Sequence, residues 1–161
     1  MNQNNFISKT AIIGQNTKIW NLVYIGDSTK IGNNVTIGSL SHIDYNVKIG
    51  NNVKIEGLAY IPPHTVIEND VFIGPGVVFT NDPYPPSKKL VGTHVNNGVI
   101  ICANSTIKAG ITIGKNSVIG MGSVITKGIQ ENVVVAGNPA KIIYNRKRSF
   151  IFKSSRLDFA R

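Results

Sequence analysis

A large apolar residue returns at every sixth position through most of this chain. Ile7, Ile13, Ile19, Ile25, Ile31, Ile37, Ile43, Ile49, Ile55, Ile61, Ile67 and Ile73 keep the interval without a slip, and Phe79 takes the next place. After one interruption the rhythm resumes at Val95, Ile101, Ile107, Ile113, Ile119 and Ile125. A period of six suits neither a helix nor a lone alternating strand; it suits a parallel β-helix built from hexapeptides. The intervening positions complete the unit. The second is often Gly. The third and fourth favour Asn, Asp or Gly, which tolerate the left-handed backbone of a tight turn. The fifth is small or β-branched, as at Thr17, Val35, Val47, Val53, Ser117 and Ser123. Each hexad is a short strand plus a turn, and three make one triangular coil.

The expected fold is all-β: a single parallel β-helix over residues 1–143, followed by a basic extension at 144–161. Stacked coils pair each strand above and below, so exposed edges remain only at the two ends. The extension contains Phe150, Ile151, Phe152, Leu157 and Phe159, and a short helix, a strand and a partly ordered arm all remain open for it. Function is sought where the repeat breaks. One break is a loop inserted at about 81–94, Asn81-Asp82-Pro83-Tyr84-Pro85-Pro86-Ser87-Lys88-Lys89-Leu90-Val91-Gly92-Thr93-His94. Its prolines preclude a ladder strand, and loops on a rigid scaffold are where sites are commonly built. The other is Val135-Ala136-Gly137-Asn138-Pro139-Ala140-Lys141-Ile142-Ile143, which ends the repeat.

Charge changes this picture little. The formal net charge is +9, but seven basic residues and one acid lie between Lys141 and Arg161, so most of the excess sits in the extension. No basic stripe interleaved with aromatics runs through the repeat body, so nucleic acid is not an expected partner. No apolar run approaches the ~18 residues of a membrane span, and the first residues lack the regions of a signal peptide. Cys102 stands alone, which rules out an internal disulfide framework. A cytoplasmic location is expected.

These residues resemble the hexapeptide-repeat acyltransferases over roughly residues 7–143. Gly137-Asn138-Pro139-Ala140-Lys141 is similar to the family's terminal motif, and Ile119-Gly120-Met121-Gly122-Ser123-Val124-Ile125-Thr126-Lys127 to its C-terminal coils. The run Val71-Phe72-Ile73-Gly74-Pro75-Gly76-Val77-Val78-Phe79-Thr80-Asn81-Asp82 resembles N-acetyltransferases of nucleotide-linked 3-amino sugars, enzymes of surface-glycan synthesis. Pro86 stands where those enzymes usually have Arg, and Cys102 where they often have Gly. The resemblance implies a left-handed helix, an exception to the right-handed crossover rule. It further implies a homotrimer with sites between subunits, acetyl-CoA as co-substrate, and a UDP- or dTDP-linked amino sugar as acceptor. No metal is expected.

In that chemistry a sugar amine attacks the acetyl thioester. A neutral amine is already a good nucleophile, so positioning contributes much of the acceleration, with a proton acceptor and an oxyanion donor beside it. By resemblance Asn81 orients the amine. Asp82 binds the sugar or holds the loop, and Tyr84 joins them in substrate binding. Plain Asx capping of a proline-rich turn explains Asn81 and Asp82 equally well. His94, at the loop's return, is the candidate proton acceptor. His64 and Glu56 are further candidates beside the substrate; His42 falls in a regular hexad. Ala103, Gly120, Gly122 and Ala136 are expected to let pantetheine approach the backbone, and Lys127 and Lys141 to pair with CoA phosphates.

Three alternatives compete. The acceptor is a hydroxyl or a 4-amino sugar; a hydroxyl, the poorer nucleophile, needs a general base. A metal lyase of the γ-carbonic anhydrase type needs three converging imidazoles, and His42, His64 and His94 lack the closely spaced pair of that family. A non-catalytic scaffold needs neither the inserted loop nor the terminal motif.

Overall fold

The computed structural model describes residues 4–87 and 89–146. It is a β-solenoid of about seven coils, with no helix among the described residues. Two-residue strands recur where the hexads place them, each ending on the position-one residue, and they stack into three faces of seven, six and eight strands. In the two shorter faces each strand pairs in parallel with the strand three along the chain, usually 18 residues away, as Val66 with Lys48 and Tyr60 with His42. Backbone bonds such as Gly50 N to the Ile67 carbonyl, 2.8 Å, tie each coil to the next. The largest face ends differently: strand Val133–Gly137 folds back antiparallel onto Ala140–Asn145. That hairpin carries the end motif and runs two residues past the expected boundary at 143. The rest of the expected extension, 147–161, lies outside the described residues.

The core is a column. Ile25 to Ile73, Phe79, Val95 and Ile101 to Ile125 point inward and are almost wholly buried, with Val35, Val47, Val53, Ser117 and Ser123 filling between them. At the first coil Ile7 is 39% exposed, because only one coil covers it. Among the described residues no helix is long and apolar enough to cross a membrane.

Two of the three corners follow turn chemistry. Asn16, Asn34, Asn52, Asp70, Asn116 and Asn132 hold positive φ at one, and Ser28, Asn46 and His64 at another. The third departs from it in its first three coils, where Leu22, Leu40 and Leu58 take φ of 59°, 63° and 64° and remain more than half exposed, before Gly76, Asn104 and Gly122 restore it. A Cβ-bearing residue in that conformation is disfavoured by about 1 kcal/mol.

Buried hydroxyls show the same coil arithmetic. Thr29, Ser41, Thr93 and Ser105 each donate to a carbonyl 15 residues on. Ser117 and Ser123 donate instead to carbonyls three residues back, and Thr65 Oγ1 is buried without a partner among the described residues. An unsatisfied buried hydroxyl costs about 1–3 kcal/mol. Thr65→Val is therefore expected to raise stability by about 1 kcal/mol, and Thr29→Val to lower it by a similar amount; equilibrium urea unfolding of the two variants checks the opposite signs.

Candidate functional site

The inserted loop leaves the first face after strand Val78–Phe79 and re-enters the second at strand His94–Val95. Val78 pairs with Thr106, 28 residues on, so the loop adds ten residues to one corner and leaves the ladder intact. Its neck is closed by Val91 N donating to the Asn81 carbonyl, 2.8 Å. Gly92 lies so close to the coil below that a Cβ there would come within 2.2 Å of the His64 carbonyl. This contact puts His64 under the loop, its ring edge-on to Tyr45 at 5.5 Å.

Asp82 holds the loop's shape. Its carboxylate accepts from the backbone amides of Tyr84 and Ser87 and from the Ser87 hydroxyl. The Ser87 amide, with the Tyr84 amide and the Ser87 hydroxyl, keeps its pKa below the ordinary carboxylate value. Tyr84 is exposed at the loop tip, and Lys108 Nζ sits 5.5 Å from its ring centroid, within reach of a cation–π attraction.

Asn81 heads a polar chain along the first face. Its Nδ2 donates to the Tyr60 hydroxyl at 3.4 Å, and that hydroxyl donates to Asp44 Oδ2 at 3.4 Å, with His42 Nε2 at 4.0 Å from the same oxygen. Burial, and then the Asp44 charge, push the Tyr60 hydroxyl above its usual pKa, so it remains a donor. Tyr60 and Asp44 escaped notice in the sequence; counting back 18 residues from Val78, and then from Pro62, places them in the columns beside the loop. Below them Phe6, Tyr24 and His42 stack, with centroids 4.8 and 4.4 Å apart.

On the other side of the corner, His94 Nε2 lies 2.9 Å from Glu68 Oε1. Glu68 Oε2 accepts from Asn97 N at 3.0 Å and Asn97 Nδ2 at 2.6 Å. Glu68 and Asn97 were not singled out in the sequence, because the insertion hides their register. Glu56 falls elsewhere, on the third face, paired with Lys54 at 2.7 Å, so the structure does not bring it to the loop.

The candidate cofactor residues divide into two groups. Gly120, Gly122 and Ala103 lie at the corner between the third and first faces, with Ala136 on the hairpin one coil above Gly120. Lys127 and Lys141 line one cavity of about 370 Å³ at the C-terminal end, with Ile125, Gln130, Val135 and Pro139. Lys127 also stands at the loop's own corner, two coils beyond Asn81, about 10 Å along the axis at the inter-strand spacing. Among the described residues no three His, Cys, Asp or Glu side chains group closely enough to hold a metal ion.

The lowered pKa of Asp82 carries a sign. Its contribution to loop order is fully present above the ordinary value of 3.8 and is lost as pH falls through the lower folded value. Amide exchange at Tyr84 and Ser87 is expected to accelerate only below pH 3.8, and already at neutral pH in Asp82→Ala; hydrogen-exchange mass spectrometry on loop peptides reads both.

Comparison with known proteins agrees with this architecture. The signature of bacterial transferase hexapeptide proteins (six repeats) matches residues 10–44, 46–81 and 92–127; its last gap falls on the inserted loop. The chain is 42% identical over 67 residues to galactoside O-acetyltransferase of Escherichia coli (strain K12), covering 40% of this chain and 33% of that protein. It is 44% identical over 70 residues to 2,3,4,5-tetrahydropyridine-2,6-dicarboxylate N-acetyltransferase of Clostridium perfringens, covering 44% and 29%. The chain thus spans about a third of the length of these relatives. In structure it is similar to AntD, an N-acyltransferase from Bacillus cereus in complex with dTDP and coenzyme A, with a TM-score of 0.77 at 20% identity over 92% of this chain and 93% of that one. GDP-perosamine N-acetyltransferase from Caulobacter crescentus gives a TM-score of 0.54 at 17% identity over 88% and 54%. The hexads, the three-faced solenoid and the matched signature together show that the chain belongs to the bacterial transferase hexapeptide family.

Proposed function

We propose that this protein transfers an acetyl group from acetyl-CoA to the amine of a nucleotide-linked amino sugar. The observation that carries this reading is the loop corner of a hexapeptide-family solenoid. There Asn81 is held by Tyr60 and Asp44 at the loop neck, with Lys127 on the same corner two coils away. Asn81 orients the amine, Asp82 and Tyr84 shape the acceptor pocket, and Lys127 and Lys141 meet CoA phosphates as flexible point charges. The two separated groups of cofactor residues suit a long ligand shared between neighbouring copies, and the enzyme is accordingly proposed to act as a homotrimer.

The position of the amine is less narrowly drawn than the 71–82 segment implied. That segment resembles 3-amino-sugar enzymes. AntD, by contrast, is known as a point variant in complex with dTDP-4-amino-4,6-dideoxyglucose and coenzyme A, and shares the fold with a TM-score of 0.63 in that complex. Both 3-amino and 4-amino sugars therefore belong in the acceptor class. A hydroxyl acceptor is the second reading. It is favoured by the His94–Glu68 pair, because a hydroxyl needs a base more than an amine does, and by the likeness to a galactoside O-acetyltransferase.

Thiol release from acetyl-CoA is the decisive assay, run against UDP- and dTDP-linked 3-amino and 4-amino sugars and their hydroxyl counterparts. Turnover is expected with an amino sugar, with kcat/KM falling about 100-fold in Asn81→Ala. Turnover restricted to a hydroxyl sugar supports the second reading. Silence across the panel, with no acetyl-CoA binding by calorimetry, overturns both.

A further inference from the structure

The C-terminal end of the rod carries a chemistry that the acyl-transfer site does not use. Strand Ala140–Asn145 is the last of the largest face, so its outer edge has no strand beside it among the described residues. Ile142, Ile143 and Tyr144 run consecutively along it, each more than half exposed. Exposed edge strands are normally blunted by charge or covered; this one is apolar. Ile142 also lines the candidate cofactor cavity, whereas Ile143 and Tyr144 have no task there. Just beyond them Arg146 is fixed to the last coils: its backbone N–H donates to the Asn132 carbonyl at 2.7 Å and its Nη1 to the Asn116 carbonyl at 2.6 Å. The chain therefore leaves the solenoid from one defined point, two residues past Tyr144.

The sequence that follows is unlike the rest of the protein. Residues 146–161 hold six Arg and Lys and one acid, a net +5 of the total +9, together with three of the six phenylalanines. A merely solvated charged segment is poor in aromatic residues. Here Phe150-Ile151-Phe152 is bracketed by Arg146-Lys147-Arg148 and Lys153. Lys and Arg are drawn to anionic headgroups, while aromatic and aliphatic side chains enter the boundary beneath them. Single-stranded nucleic acid would use the same charge with stacking rings, but it has no use for the aliphatic Ile143, Ile151 and Leu157. The N-terminal coil also exposes apolar side chains, Ile12 and Trp20, without a comparable run of positive charge.

We propose that the C-terminal end of this protein is a peripheral docking surface for an anionic lipid membrane. The basic residues of 146–161 meet the headgroups, and Phe150, Ile151 and Phe152, with Ile143 and Tyr144, enter the headgroup–acyl boundary. No residue assigned to acetyl transfer takes part, so the proposal stands or falls apart from that reading. Seven inter-strand spacings separate strand Ala140–Asn145 from Lys18–Ile19, next to Trp20, which is about 30 Å. The far end of the rod therefore stays in water.

Co-sedimentation of the full chain with lipid vesicles tests the docking. Vesicles of phosphatidylcholine with about one third phosphatidylglycerol are expected to bind about tenfold or more tightly than phosphatidylcholine alone. Salt at about 0.5 M is expected to weaken that binding about tenfold. Lys147→Gln/Arg148→Gln and Phe150→Ser/Phe152→Ser are each expected to weaken it about tenfold, and Ile143→Ser/Tyr144→Ser about threefold. Should the last variant unfold, the other two decide. The single tryptophan reads the orientation. On vesicles carrying a doxyl-labelled lipid Trp20 is expected to keep its fluorescence, whereas Tyr144→Trp in a Trp20→Phe background is expected to be quenched. No binding, equal binding to neutral and anionic vesicles, or full binding by both paired variants of the extension overturns the proposal. Quenching of Trp20 in place of the position-144 probe overturns it too. Tighter binding of a uridylate oligomer than of anionic vesicles at the same salt also overturns it, and assigns the segment to single-stranded RNA.

Discussion

Everything in this molecule hangs on the coil-to-coil backbone ladder. A two-residue strand has no stability of its own; it persists because its N–H and C=O groups are met above and below, as Lys48 N is met by the Thr65 carbonyl at 2.9 Å. The inward column of Ile25, Ile43, Ile61 and their counterparts keeps that ladder in register, since a slip of one residue would turn each isoleucine out to solvent. Burial and hydrogen bonding thus enforce the same period, and each coil needs only its neighbours.

That economy decides where chemistry resides. Inward positions are committed to the core and most turn positions to left-handed backbone. What remains free are the outward strand positions, the place just after each strand, and the corners. The polar chain Asn81–Tyr60–Asp44 and the Glu68–His94 pair use these places, on the two sides of one corner. Both are held by groups belonging to different coils, so their geometry is as rigid as the ladder itself. The loop between them is anchored separately, by the Asp82 cap and the closed neck.

The fold was legible because a residue at position one has a single physical task, and isoleucine performs it at Ile25 as at Ile119. The site was legible only in part. The loop and Asn81 could be found as a break in rhythm, but Glu68 and His94 are separated by 26 residues that span the insertion, so no fixed spacing links them. Glu56 and Glu68 each follow an inward isoleucine, but two hexads of difference put Glu56 on another face with a lysine partner. Leu22, Leu40 and Leu58 show the converse, a turn made by residues that turn chemistry disfavours. Their sequence carries a hydrophobic signal, and the backbone uses them at corners all the same.

The closed neck of the inserted loop has a wider consequence. With Val91 bonded to Asn81 and Gly92 seated on the coil below, the scaffold above and below meets the same corner whatever chain runs between those two points. Length and composition of the excursion are thereby uncoupled from the stability of the rod. Descendants of such a gene can exchange ten residues at one vertex and present new surfaces there, while selection on folding scarcely registers the change.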